Sequence, residues 1–174
     1  MSYSQILLGL GSNTERDIHL SLALKMLAEH LVNIRCSPVF VSASVTGRGD
    51  AFLNLVVAAE TSLSLKELVA WLKEIESIHG RRDGARPDRV TLDIDLLTFN
   101  DLVGKFCDVE LPRAEMLQRS YVLYPLSLIA PHTQHPQLML SYEELWRSAP
   151  VGPQISPVAL SCFTGQVQNA PLLK

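Results

Sequence analysis

The stretch TLDIDLLTF, residues 91–99, sets two aspartates into an apolar run. Side chains alternate along a strand, so Asp93 and Asp95 share one face and the apolar residues between and beside them share the other. The apolar face is expected to pack against helices. An ionised carboxylate in an apolar setting is costly unless it is compensated. The stretch therefore predicts a sheet with a core face and a polar face, where the aspartates either bind a cation or meet solvent at an edge.

Strand and helix patterns alternate along the first hundred residues. Short apolar or β-branched runs predict strands, and apolar residues three and four apart predict helices. The predicted elements are a strand at 4–11, a helix at 14–31, a strand at 32–44 that bends or runs along an edge at Pro38, a strand at 51–62, a helix from Ser64 to Gly80 and a strand at 90–99. This β-α-β-β-α-β order is the ferredoxin-like plan, an α+β fold with helices packed on an antiparallel sheet.

Helix boundaries are also predicted. Thr14 with Asp17, and Ser64 with Glu67, have the spacing of capping boxes, and Gly80 suits a left-handed helix end. Beyond residue 100 we expect a turn and a C-terminal helical extension with helices at 113–119, 123–130 and 141–148. We assign residues 1–150 to a single domain and residues 151–174 to an irregular tail.

Length and charge limit the class of protein. The chain has 174 residues, the size of one domain. Its net charge of −3 argues against a protein that mainly binds nucleic acid or coats an anionic membrane. No apolar run approaches the ~18 residues of a membrane span, and the N-terminus lacks a secretion-signal pattern. Three cysteines, far apart, favour a reduced cytoplasmic setting over a disulfide framework or a cysteine zinc site. We expect a cytoplasmic monomer.

The aspartates and the residues before them suggest a phosphate site. Two neighbouring carboxylates repel each other unless a cation lies between them, and Mg²⁺ takes one or two carboxylates plus substrate phosphates. A polyanion such as a nucleoside triphosphate also needs guanidinium groups. Four arginines lie within nine residues upstream: Arg81, Arg82, Arg86 and Arg89. The alternatives are a solvated edge strand and a solvated arginine turn that pairs with Asp83 and Asp88.

Several motifs extend this interpretation. They are GLGSN at 9–13, FLN at 52–54, the run from Glu76 to Arg81, TLDIDLL at 91–97 and LPRAEMLQRSYVLYPLSLIAP at 111–131. Together, from about residue 5 to 136, they resemble the 6-hydroxymethyl-7,8-dihydropterin pyrophosphokinase family of folate biosynthesis. The resemblance implies a ferredoxin-like core. It also implies transfer of a pyrophosphoryl group from ATP to the hydroxymethyl of the pterin, with release of AMP.

The resemblance implies a role for each matching residue. Asp93 and Asp95 would hold two Mg²⁺ ions that clamp the ATP phosphates, and Arg81 and Arg82 would complete the catalytic group. Asn54 would recognise the amide edge of the pterin. The residues implied to contact the pterin are Ser42, Phe52, Asn54 and Tyr121, with the two aromatic rings stacked on it. The residues implied to contact ATP are Glu76, Arg86, Arg89, Arg113 and Arg119.

The chain departs from the family pattern mainly on the nucleotide side. Val90 stands where the family has an arginine three residues before the first aspartate. Arg89 shares the parity of Asp93, so it would replace that arginine if the strand reaches it. Arg113 stands where the family has a histidine that touches ATP. The pterin contacts are better kept than the ATP contacts.

Other interpretations remain open at this point. Phe52 and Tyr121 could be core aromatics, Asn54 a strand-end amide and Glu76 a helix-face charge. The chain could be a diverged relative that binds a pterin or nucleotide without efficient catalysis. RNA-binding modules share the β-α-β-β-α-β order, but they need exposed aromatics and basic residues on the third strand. The segment AFLNLVVAAE, residues 51–60, offers one phenylalanine and no basic residue, which argues against that class.

Overall fold

The computed structural model describes residues 2–44, 47, 49–80, 88–150, 155–158 and 168–169. The main strands are β1 (Ser4–Ser12), β2 (Leu31–Cys36), β3 (Val39–Ser42), β4 (Phe52–Thr61) and β5 (Asp93–Phe99). A hairpin of β6 (Gly104–Phe106) and β7 (Val109–Leu111) follows, and short strands β8 (Ser156–Val158) and β9 (Gln168–Asn169) come last. The helices are α1 (Arg16–His30), α2 (Leu65–Ile78), a 3₁₀ helix (Ala114–Leu117), α3 (Ser120–Ile129) and α4 (Tyr142–Ser148).

The main sheet has the strand order β5-β1-β4-β2, with β3 also paired to β4. The pairs among these five strands are antiparallel. This arrangement confirms the predicted α+β, ferredoxin-like fold. The predicted strand at 32–44 is divided into β2 and β3 at Ser37 and Pro38. There the Ser37 hydroxyl accepts a hydrogen bond from the backbone N–H of Val56 at 2.9 Å, so the side chain replaces a ladder contact.

Two apolar layers enclose the sheet. On one face, β-strand residues such as Leu8, Leu55 and Ile94 pack with the buried side chains of α1 and α2. Leu92 and Leu96 belong to the same cluster, as the alternation predicts. On the other face, α3 and α4 pack over a second cluster of residues: Leu7, Val56, Ala58 and Leu97. The two aspartates of β5 alternate with the core residues and share the side of Leu97, so they lie on this second face, where they are partly exposed.

The two predicted capping boxes have different outcomes. Ser64 and Glu67 form the predicted box, with the Ser64 N–H donating to the Glu67 carboxylate at 2.8 Å. The box at Thr14 is wrong: α1 begins after Glu15, which has a left-handed backbone and makes no side-chain cap. Thr14 instead donates its backbone N–H to Val90 and its hydroxyl to Asn13. A contact distant in sequence therefore outweighs the local motif.

The remaining elements differ in detail from the predictions. Gly80 ends α2 with a φ of 81°, in the left-handed region as predicted. α3 begins at Ser120, three residues before the expected start, and the β6–β7 hairpin was not predicted. In the segment predicted to be irregular, β8 pairs with β3 and β9 pairs with β2. Within the described ranges, every helix is too short or too polar to cross a membrane.

The start of β5 corrects the predicted strand at 90–99. Val90 does not join the ladder, because its N–H donates to the Asn13 side chain at 2.6 Å and its C=O accepts from the Asn13 N–H at 2.9 Å. The strand begins only at Asp93. Strand alternation therefore does not extend to Arg89, and the parity argument for that residue fails.

Candidate active site

A cleft of about 240 Å³ lies on the second face of the sheet, at the end of α3. We call it the Asn54 cleft. Its floor is formed by Gly9, Gly11 and Asn54, and its walls include the other three residues predicted to contact a pterin: Ser42, Phe52 and Tyr121. The structure thus brings together four residues that are up to 79 positions apart in the sequence. Phe52 and Tyr121 are half-buried, so part of each residue remains accessible.

Strand register places the aspartates beside this floor. Asp95 lies opposite Gly9 and Asp93 lies opposite Gly11 in the β1–β5 pairing, while Gly11 also lies opposite Asn54. A Cβ on Gly11 would stand 3.3 Å from the Asn54 side-chain oxygen, closer than most side chains tolerate. The glycine therefore leaves room for the Asn54 amide. The glycines of the GLGSN motif thus form a part of the cleft that has no side chains.

The Asn54 amide is held in one orientation. Its Nδ2 donates to the Ser42 hydroxyl at 2.9 Å, and the Phe40 carbonyl lies 3.4 Å from the same nitrogen. Asn54 is only 6% exposed. A buried amide fixed through its nitrogen presents its oxygen as a directed hydrogen-bond acceptor. Ser42 thus positions Asn54, in addition to lining the cleft itself.

A second cleft, of about 260 Å³, adjoins the first along β5. We call it the Glu76 cleft, since Glu76 of α2 lines it. Asp93, Asp95 and Glu115 line both clefts. The aspartates therefore stand between a cleft with aromatic walls and a cleft with charged walls. Two carboxylates with space for phosphate oxygens on one side fit the ligand set that Mg²⁺ prefers. Among the described residues, no group of three or more His, Cys, Asp or Glu side chains is placed to hold a metal by itself.

Arg113 forms an ion pair with Asp95, one of the two aspartates. Its Nη2 is 2.9 Å from Oδ1 of Asp95, and both side chains are about a third exposed, at 38% and 32%. The Arg113 backbone N–H donates to the carbonyl of Leu97 at 2.9 Å, which fixes the start of the 3₁₀ helix against β5. Arg113 also lines the Glu76 cleft. The predicted residue is thus brought to the site, in contact with a predicted metal ligand.

The other predicted residues are placed differently. Arg89 is exposed and lines neither cleft. Arg119 precedes α3 and lines neither cleft. Its Nε is buried, with no hydrogen-bond partner in the part of the chain that the structure describes. Its positive charge opposes the burial that raises the pKa of Tyr121, so the two side chains are near each other. Arg81, Arg82 and Arg86 lie outside the described residues, and their roles stay predictions.

Two residues at the site were not singled out from the sequence. Asn13 is buried, and its Nδ2 donates to the carbonyl of Asp88 at 2.8 Å while its oxygen binds Val90. Asn13 therefore fixes the chain that leads into the aspartate strand. Glu115 lines both clefts, next to the aspartates. The GLGSN motif, which ends at Asn13, could have indicated a role for that residue. No sequence pattern distinguishes Glu115 from other exposed glutamates.

A larger cleft, of about 770 Å³, lies at the opposite end of the same sheet face. Its lining is mainly polar, with Arg35, Glu60 and Asn100 among the members. It contains none of the residues predicted to bind a pterin, a phosphate or a metal. Volume alone would select this cleft, but the chemistry of the side chains selects the paired clefts at Asp93 and Asp95.

Comparison with known proteins identifies the family. Residues 7–131 match the family described as 7,8-dihydro-6-hydroxymethylpterin-pyrophosphokinase (HPPK). The chain belongs to the HPPK family. The matched range contains both clefts and every predicted site residue, so the predicted resemblance is confirmed.

Curated relatives agree with this membership. The 2-amino-4-hydroxy-6-hydroxymethyldihydropteridine pyrophosphokinase of Aquifex aeolicus is 33% identical over 134 residues, covering 75% of this chain and 83% of the relative. The enzyme of the same name from Helicobacter pylori is 32% identical, covering 72% and 80%. The folic acid synthesis protein FOL1 of Dictyostelium discoideum is 35% identical over 106 residues, but the match spans only 16% of that longer protein.

Solved structures show the same fold. A Plasmodium falciparum HPPK-DHPS triple mutant with pteroate has a TM-score of 0.65 at 16% identity, covering 84% of this chain. An HPPK-DHPS complex with substrates has the same TM-score at 15% identity. This chain spans 43% of each of those longer chains. The HPPK fold is therefore shared across a wide divergence in sequence.

Proposed function

We propose that this chain transfers a pyrophosphoryl group from ATP to the hydroxymethyl of 6-hydroxymethyl-7,8-dihydropterin and releases AMP, as a step of folate biosynthesis. The observation that carries the proposal is the meeting of the Asn54 cleft and the Glu76 cleft at Asp93 and Asp95. One cleft suits a flat heteroaromatic acceptor, and the other suits a polyphosphate donor. The reaction needs both ligands to meet at one point.

The Asn54 cleft supplies the acceptor side. The fixed Asn54 oxygen would accept a hydrogen bond from the amide edge of the pterin, and Ser42 would support that orientation. Phe52 and Tyr121 would hold the flat rings by stacking. This grip directs the hydroxymethyl group toward Asp93 and Asp95. Orientation of this kind supplies a large share of the acceleration in bimolecular reactions.

The Glu76 cleft supplies the donor side. Asp93 and Asp95 would hold two Mg²⁺ ions, as the family resemblance implies, and the metal would neutralise charge on the phosphates. Arg113, together with the predicted Arg81, Arg82 and Arg86, would contact phosphate oxygens through guanidinium forks. Glu76 would position the aspartate strand, and Arg119 would add positive charge close to Tyr121.

The chemistry is a displacement at phosphorus. The hydroxymethyl oxygen of the pterin forms a bond to the β-phosphorus of ATP, and the bond from that phosphorus to the oxygen bridging the α- and β-phosphates breaks. AMP departs with the bridging oxygen, and the hydroxyl proton is released. The protein's part is to position the two substrates and to stabilise charge on the phosphates.

Formation of AMP tests the proposal. The protein is incubated with ATP, Mg²⁺ and 6-hydroxymethyl-7,8-dihydropterin, and AMP is measured by chromatography. We expect AMP only when the pterin is present, and none with chelated metal. Folded protein that forms no AMP at high concentration would refute the catalytic proposal.

The second candidate is a diverged protein that binds a pterin or nucleotide without efficient catalysis. The Arg113–Asp95 ion pair favours it, since a guanidinium occupies a carboxylate oxygen that catalysis assigns to a metal. Calorimetry separates the candidates. Pterin binding without turnover of Mg-ATP would support the second one.

The expected location and assembly are part of the same proposal. The scattered cysteines support a reduced, cytoplasmic setting. A monomeric assembly is expected as part of the same proposal. Cell fractionation and sedimentation of the full protein test these two points.

A further inference from the structure

The position of Arg113 is fixed by its backbone and not by its side chain. Its N–H donates to the carbonyl of Leu97, two residues beyond Asp95 on the same face of β5. The carbonyl of Arg113 in turn accepts from the N–H of Met116 in the 3₁₀ helix. Any residue except proline keeps these bonds. The Arg113 side chain extends back along the strand to Asp95, while the backbone of Arg113 is held in place without the ion pair.

The ion pair and a metal compete for the same atom. Mg²⁺ binds a carboxylate oxygen at about 2.1 Å, and Nη2 of Arg113 lies 2.9 Å from Oδ1 of Asp95. A cation on that oxygen would be no more than ~5 Å from the guanidinium, a separation at which the two positive charges repel strongly. Tight binding of one therefore weakens binding of the other.

We propose that Arg113 is a switching counter-ion. It neutralises Asp95 before the nucleotide binds, and it moves onto the phosphates when a divalent cation takes that carboxylate. Both positions border the Glu76 cleft, which Arg113 and Asp95 line together. The phosphates that bring the metal also offer the guanidinium a new partner. The metal consequently binds weakly alone and tightly with the nucleotide. This inference rests on the proposed function, because it takes Asp95 as a metal ligand.

The variant Arg113→Gln tests the switch by two binding measurements. Affinity for Mn²⁺ alone is measured from the paramagnetic resonance signal of the free ion. Affinity for the Mg²⁺ complex of α,β-methylene ATP, which resists cleavage, is measured by calorimetry. We expect Mn²⁺ alone to bind roughly three- to tenfold more tightly in the variant. We expect the nucleotide complex to bind about tenfold more weakly. A purely structural loss would weaken both.

Lys73→Gln is the matched control. Lys73 is exposed and lines the same cleft, yet it forms no ion pair with the residues described in the structure. A tighter Mn²⁺ site in R113Q but not in K73Q supports the switch. Unchanged Mn²⁺ affinity in R113Q, or an equal gain in both variants, overturns it and leaves the proposed function intact. If neither the wild-type protein nor either variant binds Mn²⁺ at a site that Asp95→Asn abolishes, the inference and the metal part of the proposed function are both overturned.

Discussion

The carboxylate of Glu76 accepts a hydrogen bond from the backbone N–H of Ile94 at 2.8 Å. Ile94 stands between the two aspartates on β5, a strand at the edge of the sheet. The helix α2 is therefore tied to the aspartate strand at the point where the two clefts meet. This contact gives Glu76 a positioning role for Asp93 and Asp95.

Replacing Glu76 tests that role. Glu76→Ala removes the acceptor of a partly buried N–H and is expected to lower the free energy of unfolding by about 1–3 kcal/mol. Glu76→Gln keeps an oxygen acceptor and should retain most of that stability. Chemical denaturation measures both values. Equal losses in the two variants would contradict the positioning role.

The paired aspartates give the strongest expected effect on activity. Asp93→Asn and Asp95→Asn each remove a negative ligand, and we expect AMP formation to fall by at least about 100-fold because metal stabilisation of phosphate charge is lost. The folded state should persist, since both residues are partly exposed. Asp101→Asn, an exposed aspartate just beyond the other end of β5, is the control and should keep full activity. Comparable losses in all three variants would argue against a special role for the pair.

Replacing Ser42 should weaken the binding of the pterin and leave the binding of the nucleotide unchanged. Ser42→Ala removes the nearer of the two acceptors of the Asn54 Nδ2, so the amide is held less firmly, and we expect pterin affinity to fall about fivefold. Ser42→Thr keeps the hydroxyl and should lose less. Calorimetric titration with the pterin, and separately with the Mg²⁺ complex of an ATP analogue, distinguishes the two ligands. A weaker nucleotide affinity in S42A would show a general disturbance of the site.

The lowered pKa of His79 leads us to expect a loss of stability on acidification. Burial, followed by the charge of His19, lowers the pKa of His79, and the two rings meet through Nδ1 atoms 2.7 Å apart. Because the folded pKa is depressed, the stabilising contribution is complete above the ordinary value of about 6.5. It is lost as the pH falls from there through the folded pKa, where the unfolded state binds more protons. His79→Gln should flatten this part of the stability profile, measured by denaturation at several pH values. His132→Gln, at an exposed position, should not flatten it.

The hydroxyl of Tyr142 is a buried polar group without a hydrogen-bond partner in the described part of the chain. The ring of Tyr142 is fully buried as well. Burial raises the pKa of this hydroxyl far above its ordinary value. Tyr142→Phe keeps the ring and removes the unpaired group, so we expect the free energy of unfolding to rise by about 1 kcal/mol. Thermal denaturation measures the change, with Tyr3→Phe at an exposed position as the control. A destabilised Y142F would reveal a partner for the hydroxyl.

The fold was predictable because its signals are local and repeated. Helical spacing and strand alternation each report which side of an element is apolar, and that side must face the core. The alternation in TLDIDLLTF correctly assigned Leu92, Ile94 and Leu96 to the core face. The same logic failed at Arg89, since Asn13 takes the hydrogen bonds of Val90 before the strand begins.

Several residues that line the Asn54 cleft were named from the sequence, but the hydrogen bonds between them were not predictable. Ser42, Phe52, Asn54 and Tyr121 were named from motifs, and the structure places them around one cleft. No sequence pattern shows that Ser42 fixes the Asn54 amide. Such contacts join residues on different strands, and their geometry depends on the register of the sheet.

The sequence by itself determined the β-α-β-β-α-β plan of the first hundred residues, the family and the two faces of the aspartate strand, because each follows from local periodicity or from residues at fixed spacing. Only the tertiary structure decided that, of the arginines in the described ranges, Arg113 and not Arg89 reaches Asp95. Arg89 is four residues before Asp93 yet lines neither cleft, whereas Arg113 is eighteen residues after Asp95 and contacts it. Ion pairs depend on distance in space, and the return of the chain through the β6–β7 hairpin sets that distance.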